Sequence, residues 1–428
     1  MKIAITTVGT RGDLQPYIAL GLGLKNSGYD VLIVSAKNED SFVRNYGLDF
    51  YPLDVDIQKI MEGDDVQKMA KGSNPVKFII SHLKGSKSLK AIMVKTQGEI
   101  WNACQDADLI IFHPGMPLGF FLAKEKNKKA ILATPFPVVA TKDYPSILFY
   151  ALHKLGSYYN LITHFIFDKV FWTLAKSPIK EFWKNSIKTG ANFDISPLKQ
   201  QINSGGLVLN GYSKLLFPHS KQWKNNIYTT GSWLIESEPN FLPPKDLDDF
   251  IKNGEMPIYI GFGSMKDLNT FNKTIAIVID TLKITKQRAV VGLGWTTNNY
   301  KEKLPINIFL VESVPHTWLF PKMKIVIHHG GAGTTAIGLI AGKPTIIIPH
   351  NADQPAWGQR VFELGVGSKP IKKSKLNAEN LSKAILHCMT PVIIKNAEQF
   401  SQKLKSENGV QKAVEIIDRF ISEENGSS

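Results

Sequence analysis

The stretch His328–Thr335, with the sequence HHGGAGTT, combines two histidines with a cluster of glycines. It follows an apolar run and precedes residues of helical character. Its glycines would therefore bring backbone N–H groups close to a ligand at the positive end of a helix. Such a turn is suited to hold a phosphate group, although it has neither the Gly-Lys-Ser/Thr ending of a Walker loop nor the dinucleotide spacing G-x-G-x-x-G.

The two adjacent histidines could serve a metal ion, a phosphate oxygen or the protein core. Neighbouring residues of a strand point to opposite faces, so only one of the two can face a ligand. One histidine alone is a poor metal site, but it is a good hydrogen-bond donor to phosphate. The pattern therefore favours a phosphate contact without a metal, and a packed turn around a core histidine is the structural alternative.

Asp353 and Gln354 follow the next apolar run, IIIPH, and are expected beside the glycine-rich turn. A carboxylate accepts hydrogen bonds from vicinal hydroxyls, while an amide both donates and accepts. Vicinal hydroxyls beside a phosphate describe a nucleotide sugar. Asp353 could instead only cap the helix that follows. Two weaker signals are Trp295, whose ring could stack on a base, and the loop ESVPHTWLFP, whose backbone could read a base edge.

Asp13 lies in VGTRGDLQP, at the end of the first apolar run. The Gly-x-x-Gly spacing there would suit a dinucleotide, but a carboxylate at the helix N-terminus would repel a phosphate, and the second strand has no acid at its tip. The helix dipole instead favours an ionised Asp13 that can accept a proton. The alternative is again a helix-capping aspartate.

Both halves of the chain alternate short apolar runs with helical segments, separated by glycine-containing loops. This alternation is typical of βαβ units on a parallel sheet that is covered on both faces. We expect an α/β fold of two Rossmann-like, doubly wound domains with ligands at the carboxyl ends of the strands. The predicted parts are a first domain over 1–235, a linker over 236–250, a second domain over 251–395, and helices over 396–428 that pack back on the first domain.

The composition describes a globular protein. The 428 residues are 43% hydrophobic, with a mean hydropathy of −0.09 and two cysteines, which exclude a disulfide framework and fit a reducing cytoplasm. No run approaches the roughly 18 apolar residues of a membrane span. The net charge of +14 is spread along the chain. This spread favours a solvated surface over a nucleic-acid face, and leaves weak attraction to an anionic membrane open.

The segment 147–183 is dense in aromatic residues at helical spacing. An amphipathic helix pair packed on the core is the favoured interpretation, because buried aromatics are commoner than ligand-lining ones. The functional alternative is a wall for an apolar ligand or a flap that touches a membrane.

Four segments, GTRGDLQP, PHTWLFP, HHGGAGTT and DQPAWGQRV, resemble the motifs of family-1 UDP-glycosyltransferases. The nearest branch is that of the sterol 3-beta-glucosyltransferases, close to bacterial macrolide and glycopeptide glycosyltransferases. The resemblance implies a GT-B fold with an interdomain cleft. It also implies an inverting, metal-independent transfer of a hexose, first of all glucose from UDP-glucose, to the hydroxyl of an apolar acceptor such as a sterol. The alternative is a macrolide, flavonoid or other natural-product glycosyltransferase with a different nucleotide sugar.

The resemblance also implies roles for residues. Asp13 would be the general base of an acceptor-binding first domain, and the second domain would bind the donor. The implied donor-binding residues are Thr10, Arg11, Gly12, Ser264, Trp295, Val314, His316, His329, Gly331, Ala332, Gly333, Thr334, Asp353 and Gln354. The expected partners are a UDP-sugar, as co-substrate rather than cofactor, and an apolar hydroxylated small molecule. No metal and no nucleic acid are expected, and the expected location is the cytoplasm, with peripheral membrane contact left open.

Overall fold

The computed structural model describes residues 1–9, 11–56, 87–236, 238–239, 241–261, 268–293, 304–350 and 352–425. The chain divides into two compact units, the first formed by Met1–Ile235 with Glu407–Ser428 and the second by Glu236–Ser406. Each unit contains its own parallel β-sheet.

The first unit contains a seven-stranded sheet. Its strands are β1 (Lys2–Thr6), β2 (Asp30–Ala36), β3 (Asp49–Leu53), β4 (Leu109–Phe112), β5 (Lys129–Thr134), β6 (Val208–Asn210) and β7 (Ile227–Thr229). All neighbours pair in parallel, in the order β3-β2-β1-β4-β5-β6-β7. The order reverses between β1 and β4, which places the ligand crevice of a doubly wound sheet there.

The second unit contains a five-stranded sheet of the same kind. Its strands are β8 (Ile258–Gly261), β9 (Ala289–Gly292), β10 (Ile308–Val311), β11 (Val326–His328) and β12 (Thr345–Ile347). They pair in parallel in the order β10-β9-β8-β11-β12, so the reversal falls between β8 and β11. The predicted pair of doubly wound parallel sheets is therefore confirmed.

Helices cover both sheets. In the described residues they are α1 (Arg11–Asn26), α2 (Asp40–Asn45), α3 (Lys87–Ala103), α4 (Leu118–Glu125), α5 (Ser157–Phe182), α6 (Pro197–Asn203), α7 (Lys245–Lys252), α8 (Leu268–Thr285), α9 (His316–Leu319), α10 (Ala332–Ile340), α11 (Gln354–Glu363), α12 (Ala378–Cys388), α13 (Pro391–Lys405) and α14 (Gly409–Asn425). Helix α14 packs on α1 in the first unit, and α13 packs on α10 in the second.

The central strands of both sheets are buried on both faces, as their continuous apolar sequences predict. In β1, Ile3, Ala4 and Ile5 are all fully buried. One face of this sheet shares its core with the last helix, which contributes Ala413 and Ile417. The C-terminal segment is thus part of the hydrophobic core of the first unit.

The aromatic segment 147–183 differs from its prediction. It contains one long helix, α5, which continues into a π-helical turn at Trp183–Ile187, and not a pair of helices. The helix begins after Gly156, whose φ is 89°, and it accommodates Pro178 in its last turns. None of the helices in the described ranges combines the length and the uncharged apolar stretch needed to span a membrane.

Candidate active site

Asp13 lies in the first turn of α1, just after the loop that leaves the carboxyl end of β1. Gly9 in this loop has a φ of 135°, and a Cβ on it would lie 2.6 Å from Cγ of Asp13. The Asp13 carboxyl therefore packs directly on the backbone of Gly9, at a position that any larger residue would block. The contact fixes a partly buried carboxyl near the edge of the sheet where parallel α/β proteins bind ligands.

Tyr17 is buried near Asp13, and His113 is buried beside Tyr17. The Tyr17 hydroxyl donates a 2.7 Å hydrogen bond to the carbonyl of Ala133, and burial, with a smaller contribution from the charge of Asp13, raises the pKa of Tyr17. The rings of Tyr17 and His113 meet edge to face at 5.7 Å. Nδ1 of His113 accepts the N–H of Gly115 at 2.8 Å, so the neutral imidazole carries its proton on Nε2.

His113 is therefore a neutral side chain whose Nε2–H can donate a hydrogen bond. Burial lowers its pKa to about 4, and its side chain is 8% exposed. Within the described part of the chain, Nε2 has no hydrogen-bond partner. A buried donor left unpaired costs about 1–3 kcal/mol, so such groups commonly mark a place where a ligand or water completes the bond.

The glycine-rich turn of the second unit joins β11 to α10. Nδ1 of His328, the last residue of β11, accepts the N–H of Gly330 at 3.0 Å. Gly330 has a φ of 95°, and a Cβ on it would lie 2.6 Å from Cγ2 of Ile347. Gly331 is the N-cap of α10 and has no side chain to occupy the first N–H groups of the helix. The turn therefore presents backbone donors at the positive end of a helix, as predicted for a phosphate-binding turn.

Three of the predicted donor-binding residues, Ala332, Gly333 and Thr334, form the first turn of α10 and are partly buried. Their N–H groups belong to those that an α-helix leaves without an internal partner. They lie next to His329, whose Nε2 would be 2.8 Å from a Cβ on Gly331. The structure thus brings the imidazole and the open helix end together.

The histidines around this turn are neutral. Burial lowers the pKa of His329 to about 4 and is the main cause that lowers the pKa of His350 to about 3. Burial, with smaller effects of His329 and His316, holds the pKa of His328 well below its usual value. The rings of His329 and His350 lie 6.3 Å apart. At neutral pH these side chains therefore offer N–H donors without positive charge.

Asp353 and Gln354 lie at the start of α11. Oδ2 of Asp353 accepts the indole N–H of Trp357 at 2.7 Å, and the Asp353 side chain makes no capping hydrogen bond to the helix. Oε1 of Gln354 accepts the backbone N–H of His350 at 2.8 Å. A Cβ on Gly330 would lie 3.2 Å from the carbonyl oxygen of Gln354. Gln354 therefore packs against the glycine-rich turn, as the sequence predicts.

The predicted base-binding residues Val314 and His316 are partly buried and follow β10. The His316 ring stacks on Phe320 with centroids 4.3 Å apart, and its Nε2 is 3.3 Å from the hydroxyl of Tyr259. Helix α9, which begins at His316, packs on α10. The loop after β10 is thus a neighbour of the glycine-rich turn.

Other predicted site residues have different outcomes. Thr10, Ser264 and Trp295 lie outside the described residues. Arg11 and Gly12 open α1, and the Arg11 guanidinium lies 4.0 Å from the centroid of the Phe42 ring. A donor contact for Arg11 or Gly12 therefore stays a prediction.

The sequence reasoning missed His113. In both units a histidine at the carboxyl end of the strand beside the crevice accepts the N–H two residues further on, His113 from Gly115 and His328 from Gly330. The strands concerned, β4 and β11, occupy equivalent places in the two sheets. An alignment of the two halves would have found the signal, because FHPG and HHGG both follow an apolar strand with His-x-Gly.

No group of three or more His, Cys, Asp or Glu residues within the described ranges is placed to hold a metal ion. The two cysteines, Cys104 and Cys388, are buried free thiols, and burial raises the pKa of each to about 12. A reaction without a metal stays a prediction.

The buried histidines predict a fold that loses stability in acid. The unfolded chain binds protons near the ordinary histidine pKa of about 6.5, whereas His113 and His329 stay neutral down to about 4 and His350 to about 3 in the folded state. Stability is thus complete above pH ~6.5 and falls toward pH ~4, by about 1 kcal/mol per histidine at pH ~5.5. The raised pKa values of Glu39 and Glu407 act in the opposite direction. Thermal unfolding at pH ~6.5 and at pH ~5.5 measures the net effect of the histidines and the two glutamates on stability. An unchanged unfolding midpoint would contradict the prediction.

Two separate parts of the chain match known families. Residues 3–134 match the glycosyltransferase family 28 N-terminal domain, and residues 276–421 match the C-terminal domain of erythromycin biosynthesis protein CIII-like proteins. Sterol 3-beta-glucosyltransferase UGT80B1 of Arabidopsis thaliana is 32% identical over 440 residues, which cover 99% of this chain and 69% of that protein. The sterol 3-beta-glucosyltransferase of Sclerotinia sclerotiorum is 32% identical over 433 residues. This match covers 98% of the chain but only 29% of the longer fungal protein.

Solved structures share the fold. The glycotransferase of kitacinnamycin has a TM-score of 0.69 at 16% identity, over 98% of both chains. The glycosyltransferase VinC, solved in complex with DTDP, has a TM-score of 0.62 at 15% identity, over 98% of this chain and 99% of its own. These likenesses confirm the predicted GT-B fold, and the plant relative confirms the predicted branch. The chain therefore belongs to the family of the sterol 3-beta-glucosyltransferases.

Proposed function

We propose that the protein is an inverting glycosyltransferase that moves a hexose from a UDP-sugar to the hydroxyl of an apolar alcohol, with UDP-glucose as donor and a sterol as acceptor. The observation that carries the proposal is the glycine-rich turn at Gly330, which ends in an open helix N-terminus and packs against Gln354. The names of the two relatives that match 98% and 99% of this chain support the sugar and the acceptor class.

In the proposed donor site, His329 and the first N–H groups of α10 hold the diphosphate. Neutral N–H donors suit this task because they stabilise the charge that develops on the leaving UDP without having to be ionised themselves. Asp353 and Gln354 are the groups that grip the sugar hydroxyls, and Val314 and His316 lie around the base. The complex of VinC with DTDP, a nucleoside diphosphate, supports the ligand class.

Two donor-site assignments, Ser264 and Trp295 near the uridine and phosphates, complete the proposal. Thr10, Arg11 and Gly12 are proposed as further donor contacts. All five rest on the matching family motifs and on no contact described above.

In the proposed reaction Asp13 accepts the proton of the acceptor hydroxyl while that oxygen attacks the anomeric carbon of the sugar. The bond between this carbon and the UDP oxygen breaks, UDP leaves with the bonding electron pair, and attack from the opposite face inverts the anomeric configuration. The N–H of His113 lies in the same buried cluster as Tyr17, close to Asp13, and is available to hold a ligand oxygen. The proposal requires no metal, no cofactor and no nucleic acid, and it places the protein in the cytoplasm and leaves peripheral membrane contact open.

The test is an assay of the purified chain with UDP-glucose, UDP-galactose and dTDP-glucose against a sterol, a macrolide and a flavonoid. Mass spectrometry should detect the gain of one hexose on the sterol, with UDP-glucose as the best donor and with equal yield in the presence of EDTA. Transfer only to the macrolide or flavonoid would replace the acceptor class. No transfer from any donor, together with no binding of UDP, would overturn the proposal.

A further inference from the structure

Five strongly exposed apolar side chains lie within residues 152–165 of the first unit. On α5, Tyr158, Ile162 and Phe165 are 84%, 56% and 58% exposed, and their spacing of four and three residues puts them on one face of the helix. Leu152 and Leu155, in the segment before the helix, are 47% and 69% exposed. These five residues form what we call the apolar patch. They are the five most exposed large apolar residues among those described in this unit.

The patch does not result from a poorly packed helix. The opposite face of α5 is anchored in the unit by buried residues that include Asn160, Thr163, His164 and Phe167. Single exposed apolar residues are normal on a protein surface, whereas a group of them generally marks an interaction site. The apolar side chains on the outer face of α5 therefore do not contribute to packing the core of the unit.

Lysines near the patch form what we call its basic rim. Lys154 and Lys169 are exposed, and the Lys199 ammonium lies 4.9 Å from the centroid of the Phe165 ring. Between Lys154 and Lys169 the one acidic residue of the sequence is Asp168, whose side chain is 12% exposed and pairs with Lys199 at 3.1 Å. Residues 141–200 contain eight lysines and four acidic residues, a net charge of +4.

The segment between β5 and α5 links the patch to the cluster around His113, on the proposed acceptor-binding side of the first unit. The segment that leads to α5 leaves β5 at the carboxyl edge of the sheet, where the ring of Phe136 lies 5.7 Å from the ring of His113. The same segment is tied to the buried face of α5, because Nε2 of His164 donates to the carbonyl of Tyr144 at 3.1 Å. The patch is thus connected through ordered contacts to the cluster around His113.

We infer that the apolar patch docks on the surface of an anionic lipid bilayer. Its tyrosine, phenylalanine and aliphatic side chains enter the boundary between headgroups and acyl chains, and the lysines contact the negative headgroups. The basic rim decides for this occupant over a second copy of the chain, because two copies would bring like charges together. The inference rests on exposure and charge, and it stands independently of the proposed glycosyl transfer.

The test is a flotation assay of the full chain with vesicles of phosphatidylcholine alone and with added phosphatidylglycerol, without donor or acceptor. The protein should float with the anionic vesicles and partition at least about tenfold less to the neutral ones, with a loss of binding at high salt. Partition that does not depend on anionic lipid, or no flotation at all, would overturn the inference. Since UDP binding is measured separately, either result leaves the proposed function standing.

Variants assign the binding to the patch. The triple variant Tyr158→Ser, Ile162→Ser, Phe165→Ser should partition about tenfold less or weaker still, since these side chains supply the inserted apolar area. The matched control is Leu386→Ser with Val392→Ser, two residues of the second unit that are 52% and 66% exposed, which should float like the wild type.

The basic rim is tested by Lys154→Gln with Lys169→Gln, which should weaken binding to anionic vesicles about fivefold for each lysine and leave the weak binding to neutral vesicles unchanged. Equal flotation of the triple variant and the wild type would overturn the inference. A wild-type dimer that the triple variant converts to a monomer in sedimentation would show instead that the patch joins two copies of the chain.

Discussion

Replacing Asp13 with asparagine should lower the rate of glycosyl transfer by about 10²–10⁴-fold, the usual contribution of general acid–base catalysis, while UDP binds as in the wild type. The amide has almost the shape of the carboxylate and keeps its place on the backbone of Gly9, where Cγ of Asp13 packs. It cannot accept the proton of the acceptor hydroxyl, so the attacking oxygen is not activated. Initial rates with UDP-glucose and a sterol measure the first effect, and calorimetric titration with UDP measures the second.

A matched control separates the role of this carboxylate from a general loss of negative charge. Asp40 is the first residue of α2 in the same unit, and its carboxylate forms an exposed ion pair with Arg44 at 2.8 Å. Asp40→Asn makes the same chemical change and should transfer sugar at the wild-type rate. Near-normal turnover of Asp13→Asn, or an equal loss in both variants, would remove Asp13 from the role of general base.

The buried strands of the sheets were predictable because they are short and mainly apolar. The run KIAIT became β1, and TII of the run PTIIIPH became β12, since such sequences are stable only between two covering layers. The glycine-rich turn was predictable because its parts are consecutive in the sequence. A strand end, glycines and a helix start must follow one another directly in the sequence, so His329 and Gly331 could be placed without any tertiary information.

Features that depend on contacts between distant residues were not predictable. Among the described residues, the N–H of His113 has no partner, because the side chain is buried beside Tyr17, far away in the sequence, and because Gly115 occupies the other ring nitrogen. The exposed face of α5 is a second example. Its aromatic residues suggested burial, and only the packed structure shows that Tyr158 and Phe165 lie on the side away from the core.

For Asp353 the sequence could not decide between two roles, because both depend on residues close to it in the chain. The sequence left open whether its carboxylate capped the helix or gripped a sugar. In the structure it accepts the indole N–H of Trp357, one helical turn further on, and makes no capping bond. The indole holds one carboxylate oxygen in a fixed orientation, which suits a group that must be positioned for a ligand. Its role toward the sugar stays a prediction.

Replacing Gly330 with alanine should weaken UDP binding by about tenfold to a hundredfold, the cost of one or two charge-assisted hydrogen bonds to the diphosphate. Its φ of 95° strains any side chain, and the new Cβ would lie 2.6 Å from Cγ2 of Ile347 and 3.2 Å from the carbonyl oxygen of Gln354. The turn must therefore shift, and the N–H groups of α10 shift with it. Calorimetric titration with UDP measures the affinity, and thermal unfolding measures the accompanying loss of stability.

The control for this variant lies at the other end of the same helix. Gly342 follows α10 with a φ of 72°, so an alanine there meets backbone strain of the same kind, but its Cβ would be 3.4 Å from Cβ of Ser401, an ordinary contact. Gly342→Ala should therefore lose some stability and keep its affinity for UDP. If both variants lose affinity equally, the effect arises from the stability of α10 and the diphosphate does not bind at the glycine-rich turn. A loss confined to Gly330→Ala would place the leaving group where the backbone of the second unit can stabilise its charge.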